Sequence, residues 1–257
     1  MRGFFYIPYM KIDKVYIISI DFRPDYLDEL YERAKLLPLP EDTDISIMKG
    51  FVGTRLFEEE NLPYKLYQNW DISENGNNYF FWIRPVYHGE AGGMISHIQC
   101  WEHAWKNGYE NILILEDDFT LLKPIDWEIF NELNDYDWDL CLLSHNSLDY
   151  LFSDVNRISK IGKESFIKPT YFYNTHTYVI NRNGLQKLIN DHLPLLKENI
   201  IVSDEFLSAV TTGHPRSDLR QMFIPNMNAV ATKINYTGQS RFEMAGNSLT
   251  EPGQLLG

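Results

Sequence analysis

Cysteine is nearly absent from this chain: two, Cys100 and Cys141, stand among 257 residues. Two thiols build neither a disulfide framework nor a four-thiolate zinc site, although a single disulfide remains open, and a reducing compartment is the expectation. Apolar runs of about 18 residues, long enough to span a bilayer, are also missing. The opening MRGFFYIPYM reaches Lys11 and Asp13 before an apolar segment or a small-residue cleavage site forms, so no signal peptide is read. A soluble, cytoplasmic protein is expected. Basic charge is short too: 23 Lys and Arg against 36 Asp and Glu leave a net charge of −13 and a pI near 4.9. Nothing supplies the broad positive field that nucleic acid or an anionic membrane surface requires, and neither is expected as a partner. There is no internal repeat, no low-complexity block and no break in composition, so residues 1–257 are read as one domain.

What is present is a core-forming content of 44% apolar residues and a β-α-β rhythm. Residues 15–20 form a β-branched run, and Pro24 follows where a helix could have its first turn, with Leu27, Leu30, Tyr31 and Ala34 at helical spacing. Residues 45–48 read as a second strand running into Gly50 and Gly53. Residues 57–87 are polar and turn-rich and read as a long loop or insertion. Met94, Ile98, Trp101 and Trp105 share a helical face that should end at Gly108. The unbroken apolar run 112–115 reads as a buried strand. Residues 140–143 and 177–180 are further strands, residues 183–190 and 202–210 helices, and residues 221–224 a late strand closed by Pro225. From Thr237 onward the Gly, Ser, Asn and Pro content suggests a loop-like or mobile tail. The fold class is α/β with a mostly parallel central sheet.

Three features carry chemistry. The strand 112–115 ends in Glu116, Asp117 and Asp118, and open α/β sheets bind ligands at the carboxyl ends of their strands. Adjacent carboxylates repel unless a cation neutralises them; hard ions such as Mn²⁺ or Mg²⁺ take oxygen ligands from one or two carboxylates plus substrate phosphates. The plain alternative is an acidic turn capping the next helix. Upstream, Glu90 suits a helix start, Gly92 and Gly93 permit close approach, and Ser96 and His97 lie beside the apolar stripe. Taken singly, His97 reads more readily as a hydrogen-bonded histidine than as a ligand contact. At the end of the first strand Asp21 could accept from a base or ribose and Arg23 could meet a phosphate, the alternative being an exposed salt bridge.

Taken in order and spacing, VYIISIDFRPDYL, FVGT, GEAGGMISHIQCWEHAWKNGYENILILEDDF, THTYVINRNGLQKLI and SDEFL resemble the family 25 glycosyltransferases, which include lipooligosaccharide and collagen hydroxylysine galactosyltransferases. The resemblance covers residues 15–210, and its central block is the specific part. It implies a GT-A-like, Rossmann-type domain, a UDP-sugar donor (galactose or glucose), a divalent cation, inversion at the anomeric carbon, and a glycan or hydroxylysine acceptor. By the same resemblance Glu116 and Asp118 are the metal ligands with Asp117 beside them. Asp21 and Arg23 fall at the donor nucleotide, Glu90, Ser96 and His97 on the donor side of the cleft, and Asp204 is the base. His176 and His214 are the histidines that could complete a metal shell, although each reads more readily as structural. Tyr26 stands where the family usually has a second arginine. Two other readings stay open: a catalytically silent sugar-binding or scaffold homologue, and a metal-dependent nucleotidyltransferase or phosphohydrolase.

Overall fold

Strand β3 (Asn111–Glu116) is the axis of the molecule: its residues 112–115 are wholly buried and alternate between two cores. Ile112 and Ile114 face one layer, Leu113 and Leu115 the other, which is why the run reads as continuously apolar. The computed structural model describes residues 10–39, 43–71, 84–147, 162–173 and 175–239. Ahead of β3 come β1 (Lys14–Ser19), helix α1 (Pro24–Lys35), β2 (Asp44–Lys49), the single turn α2 (Arg55–Glu58) and the long α3 (His88–Asn107). Pro24 opens α1, and Gly108, at φ 72°, closes α3 in the left-handed conformation that glycine adopts freely.

After β3 follow β4 (Phe119–Leu121), a 3₁₀ helix at Trp127–Leu133, β5 (Leu140–Leu142), β6 (Asn146–Ser147), β7 (Phe166–Ile167) and β8 (Phe172–Tyr173). Next come β9 (Thr177–Asn181), α4 (Arg182–Lys187), a π-helical turn at Leu188–His192, α5 (Leu193–Lys197) and α6 (Ser203–Thr211). The last described elements are α7 (Ser217–Met222), β10 (Ala229–Thr232) and β11 (Thr237–Gln239). The seven-stranded sheet has the order β2-β1-β3-β9-β5-β10-β7. The pairs β2-β1, β1-β3 and β5-β10 are parallel; β9 and β7 run against their neighbours. The domain is therefore α/β and Rossmann-like, with β9 as an antiparallel insertion into a sheet whose other central strands share one direction. β3, β1 and β5 end at the same edge at which β9 begins.

Helices α3 to α6 cover the face carrying Tyr16, Ile114 and Tyr178, whereas α1 and the 3₁₀ helix cover the face carrying Ile17, Leu115 and Val179. Trp101, in the second half of α3, meets Phe206 in the first turn of α6 with ring centroids 5.9 Å apart, so the two helices pack directly on each other.

Four sequence expectations change. Residues 221–224 are not a strand: α7 runs through Met222, because Leu219 and Phe223, one helical turn apart, both bury against the α3-side core. The late strand is β10, whose AVAT segment is too small-sided to stand out as a hydrophobic run, yet all four residues are buried between β5 and β7. Tyr31 lies on the α1 stripe but is 41% exposed, leaving Leu30 and Ala34 as the buried positions. Thr237–Gln239, read as the start of a loop-like tail, pairs with β4 as β11; residues 240–257 lie outside the described residues, as do residues 72–83 of the long-loop reading. Cys100 and Cys141 are free and buried on opposite faces of the sheet, so the single disulfide does not form.

Candidate active site at the carboxyl edge of the sheet

Strand alternation sends the three acids after Leu115 in different directions. Glu116 continues the Ile112–Ile114 side and meets α3: its Oε1 lies 3.2 Å from His97 Nε2. His97 is 1% exposed, and its Nδ1 is 2.8 Å from the hydroxyl of Tyr178, whose oxygen accepts from Trp101 Nε1 at 3.0 Å. Asp117 turns to the α1 side, where Ser19, the last residue of β1, donates to its Oδ2 at 2.6 Å. The Asp117 carbonyl accepts from Arg33 of α1 at 2.9 Å and from the Tyr26 hydroxyl at 3.4 Å. Asp118 lies by β11, with Gln239 Nε2 3.5 Å from its Oδ2.

The first-strand loop is self-paired. Asp21 accepts from both the backbone and the guanidinium of Arg23, Nη2 at 2.7 Å, and the Arg23 side chain is 68% exposed. That contact, with the Asp21 charge, raises the Arg23 guanidinium above its ordinary value. The loop leaves β1 two residues beyond Ser19, so Asp21 and Arg23 stand on the Asp117 side of the edge.

A third group sits where α3 and α6 begin. Glu90 holds Arg84 through both oxygens at 2.6 and 2.8 Å and accepts from the Tyr87 backbone N–H at 2.8 Å, completing a capping box. Burial pulls the Arg84 guanidinium down, but Glu90 first, then Tyr87 and Asp204, hold it above its usual value. Arg84 also stacks 3.9 Å from the Tyr87 ring centroid. Asp204, at the start of α6, thus lies within electrostatic reach of the Arg84–Glu90 pair, and its Oδ1 accepts from the Glu205 N–H. Ser96 accepts from the Phe51 N–H at 2.8 Å and donates to the Gly92 carbonyl at 2.7 Å, fastening the loop after β2 to α3. Gly92 and Gly53 allow that approach: a Cβ on Gly53 would lie 1.7 Å from the His88 carbonyl oxygen, and one on Gly92 2.5 Å from that of Phe51. A Cβ on Gly93 would meet nothing within 4 Å.

The two histidines differ in what they can offer a cation. His214 is engaged: its Nε2 meets the Glu205 carboxylate, which also accepts from Tyr171 at 2.6 Å, and its Nδ1 accepts from the Arg216 N–H. His176 is 2% exposed, and neither ring nitrogen has a hydrogen-bond partner among the described residues. Burial pushes its imidazole below the usual value, and the nearby Glu116 pulls in the opposite direction. Its backbone carbonyl accepts from the Glu116 N–H at 2.9 Å. Among the described residues no three His, Cys, Asp or Glu side chains form a ready-made metal cage. The donor set nevertheless suits a hard cation that shares its shell with substrate oxygens, because Glu116 and Asp118 offer carboxylate oxygen at one strand end and the His176 imidazole, without a hydrogen-bond partner among the described residues, lies near Glu116.

Sequence reasoning missed Ser19, Arg33, Arg84 and Tyr178. For Ser19, Arg33 and Tyr178 the partners lie far away along the chain, 98 residues for Ser19 and Asp117 and 81 for Tyr178 and His97, so no local motif announces them. Arg84 was legible in principle, six residues before the capping Glu90.

The model of the family described as Glycosyltransferase family 25 (LPS biosynthesis protein) matches residues 12–207. A glycosyltransferase 25 family member of Aedes aegypti is 24% identical over 228 residues, covering 86% of this chain and 34% of the relative. Procollagen galactosyltransferase 1-A of Xenopus laevis is 26% identical over 223 residues, 84% and 34% of the two chains. A probable inactive glycosyltransferase 25 family member 3 of Bos taurus is 25% identical over 251 residues, 91% and 38%. The chain spans about a third of the length of these curated relatives. With the match running from the residues leading into β1 into α6, and so across the candidate site from Asp21 to Asp204, this chain belongs to glycosyltransferase family 25.

Proposed function

We propose that this site moves a hexose, galactose or glucose, from a UDP-sugar to a hydroxyl of a glycan or hydroxylysine acceptor, with inversion. The observation that carries the reading is a strand buried on both faces that delivers Glu116, Asp117 and Asp118 to the edge where β1 also ends. Membership of the family and the galactosyltransferase relative support it. Glu116 and Asp118 would hold Mn²⁺ or Mg²⁺, with His176, whose ring nitrogens have no hydrogen-bond partner among the described residues, the histidine open to join them. A bound divalent cation supplies charge neutralisation for the departing nucleoside diphosphate.

The chain's own residues do the rest. Asp117, tied to Ser19, and the Arg33 contact to its carbonyl fix the turn that carries the acids. Asp21 and Arg23 face the nucleotide, exchanging their mutual pairing for base, ribose or phosphate contacts. Glu90 and Ser96, whose bonds go to Arg84, Tyr87, Phe51 and Gly92, set the donor-side wall by pinning the start of α3 and the loop after β2. Asp204 takes the proton of the acceptor hydroxyl; the acceptor oxygen bonds to the anomeric carbon as the bond to the diphosphate breaks, and that electron pair leaves with UDP.

Transfer from UDP-galactose and UDP-glucose, followed as UDP release with Mn²⁺ and a panel of acceptors, tests this. Asp118→Ala should lower turnover by about 100-fold or more. Asp204→Ala should lower turnover by about 100-fold while donor affinity is unchanged. Undiminished transfer by Asp118→Ala in the presence of a chelator would remove the metal from the account. A second reading, donor or glycan binding without turnover, is favoured by the similarity to the probable inactive bovine family member. UDP-sugar binding with no UDP release on any acceptor would select it.

A further inference from the structure

We propose that a one-way hydrogen-bond chain, from Trp101 through Tyr178 and His97 to Glu116, orients the Glu116 carboxylate for its ligand; this rests on reading Glu116 as a cation ligand. The direction follows from what each group can do. An indole N–H only donates. Trp101 Nε1 stands 3.0 Å from the Tyr178 hydroxyl, so the phenol oxygen accepts there. Its single hydrogen must then go to the other partner, His97 Nδ1 at 2.8 Å, because Tyr178 is fully buried and an unsatisfied buried O–H is costly. With Nδ1 accepting, the imidazole proton is on Nε2, 3.2 Å from Glu116 Oε1. Burial, the main influence on the Tyr178 phenol, pushes it well above its ordinary value and keeps it a donor.

The geometry also fits a positioning role. His97 and Trp101 are one helical turn apart on α3, while Tyr178 belongs to β9 and pairs with Ile114, on the same face as Glu116. The His97 and Tyr178 rings stack, with centroids 5.7 Å apart and planes at 23°. Three side chains that are 0–1% exposed therefore lock a helix and two strands behind one carboxylate. A neutral Nε2–H donor fixes the Glu116 rotamer without placing a positive charge that would compete with a cation. His97, Tyr178 and Trp101 are positioning residues that act through Glu116.

The test uses the full chain with ¹⁵N-labelled histidine and long-range ¹H–¹⁵N correlation at pH 7.5, with His97→Gln assigning the signal. The expected result is the Nε2–H tautomer for His97; the Nδ1–H tautomer or an averaged spectrum overturns the chain. Mn²⁺ titration, read from the free-ion electron paramagnetic resonance signal, supplies the second arm, with melting temperatures confirming that each variant folds. Tyr178→Phe should weaken Mn²⁺ binding about tenfold. His97→Gln, whose amide N–H can stand near the Nε2 position, should keep most of the affinity that His97→Leu loses. Unchanged binding in Tyr178→Phe, or equal losses in the Gln and Leu variants, overturns the proposal. A wild-type chain that shows the Nε2–H tautomer but takes up no Mn²⁺ overturns the cation reading of Glu116 and leaves the hydrogen-bond chain standing.

Discussion

Each acid at the end of β3 has its own surroundings, and these set its part. Asp117 is 9% exposed and takes a hydroxyl hydrogen bond from Ser19, so its carboxylate is committed to joining two strand ends. Glu116 is 32% exposed with a histidine behind it, which suits a group that is both reachable and oriented. Burial governs the two cysteines more simply. Both thiols are fully buried, and burial pushes both well above the ordinary thiol value, so neither supplies a thiolate at neutral pH. An aromatic disulfide reagent should therefore modify neither Cys100 nor Cys141 in the native protein at pH 8 and both once denaturant is added. Rapid modification of the native protein would contradict the described core.

At the scale of elements, the contact between the loop after β2 and α3 is the most demanding piece of packing. Gly53 and Gly92 are there because backbone meets backbone, and a methyl group on either would displace main chain rather than a yielding side chain. Gly53→Ala should cost about 3 kcal/mol of stability. Gly93→Ala, one position after Gly92 on α3 but facing open space, should be neutral or stabilising by about 0.5–1 kcal/mol. Urea unfolding of the two variants decides it, and equal costs would refute the asymmetry. The elements that sequence periodicity reached were those with a strong pattern. The Met94–Trp101 face, the Gly108 stop and the 112–115 run all stand where the spacing put them. The misread elements are those where tertiary context overrode pattern: AVAT becomes a strand because β5 and β7 flank it, and the apolar 221–224 segment finishes a helix because Leu219 and Phe223 bury together.

For the whole molecule, the two-layer core sets how stability responds to acid. Burial is the leading cause that holds the imidazoles of His176 and His192 below their ordinary value. Below about pH 6.5 the unfolded chain takes up protons that the folded chain refuses, so stability falls as pH drops through that range. Urea midpoints should be lower at pH 5.5 than at pH 7.5, and His192→Gln, which can keep the contact to Asn226, should narrow the difference. A midpoint independent of pH would show that neither histidine is held neutral. The candidate site was legible in part for a reason that also belongs to the whole molecule. A strand that ends in acids is a local event, visible in one stretch of sequence. Which acid turns to α3, which to β1, and which distant arginine or tyrosine meets them depends on strand alternation and on contacts that only the assembled fold creates.

The central claim is that the acids at the carboxyl edge of β3 grip a nucleoside diphosphate through a divalent cation. Isothermal titration of UDP into the protein tests it most directly, with Mn²⁺, with chelator, and with Asp118→Ala in Mn²⁺. The account predicts binding in the first case and none, or binding weakened about 100-fold, in the other two. Equal UDP affinity in all three would contradict it.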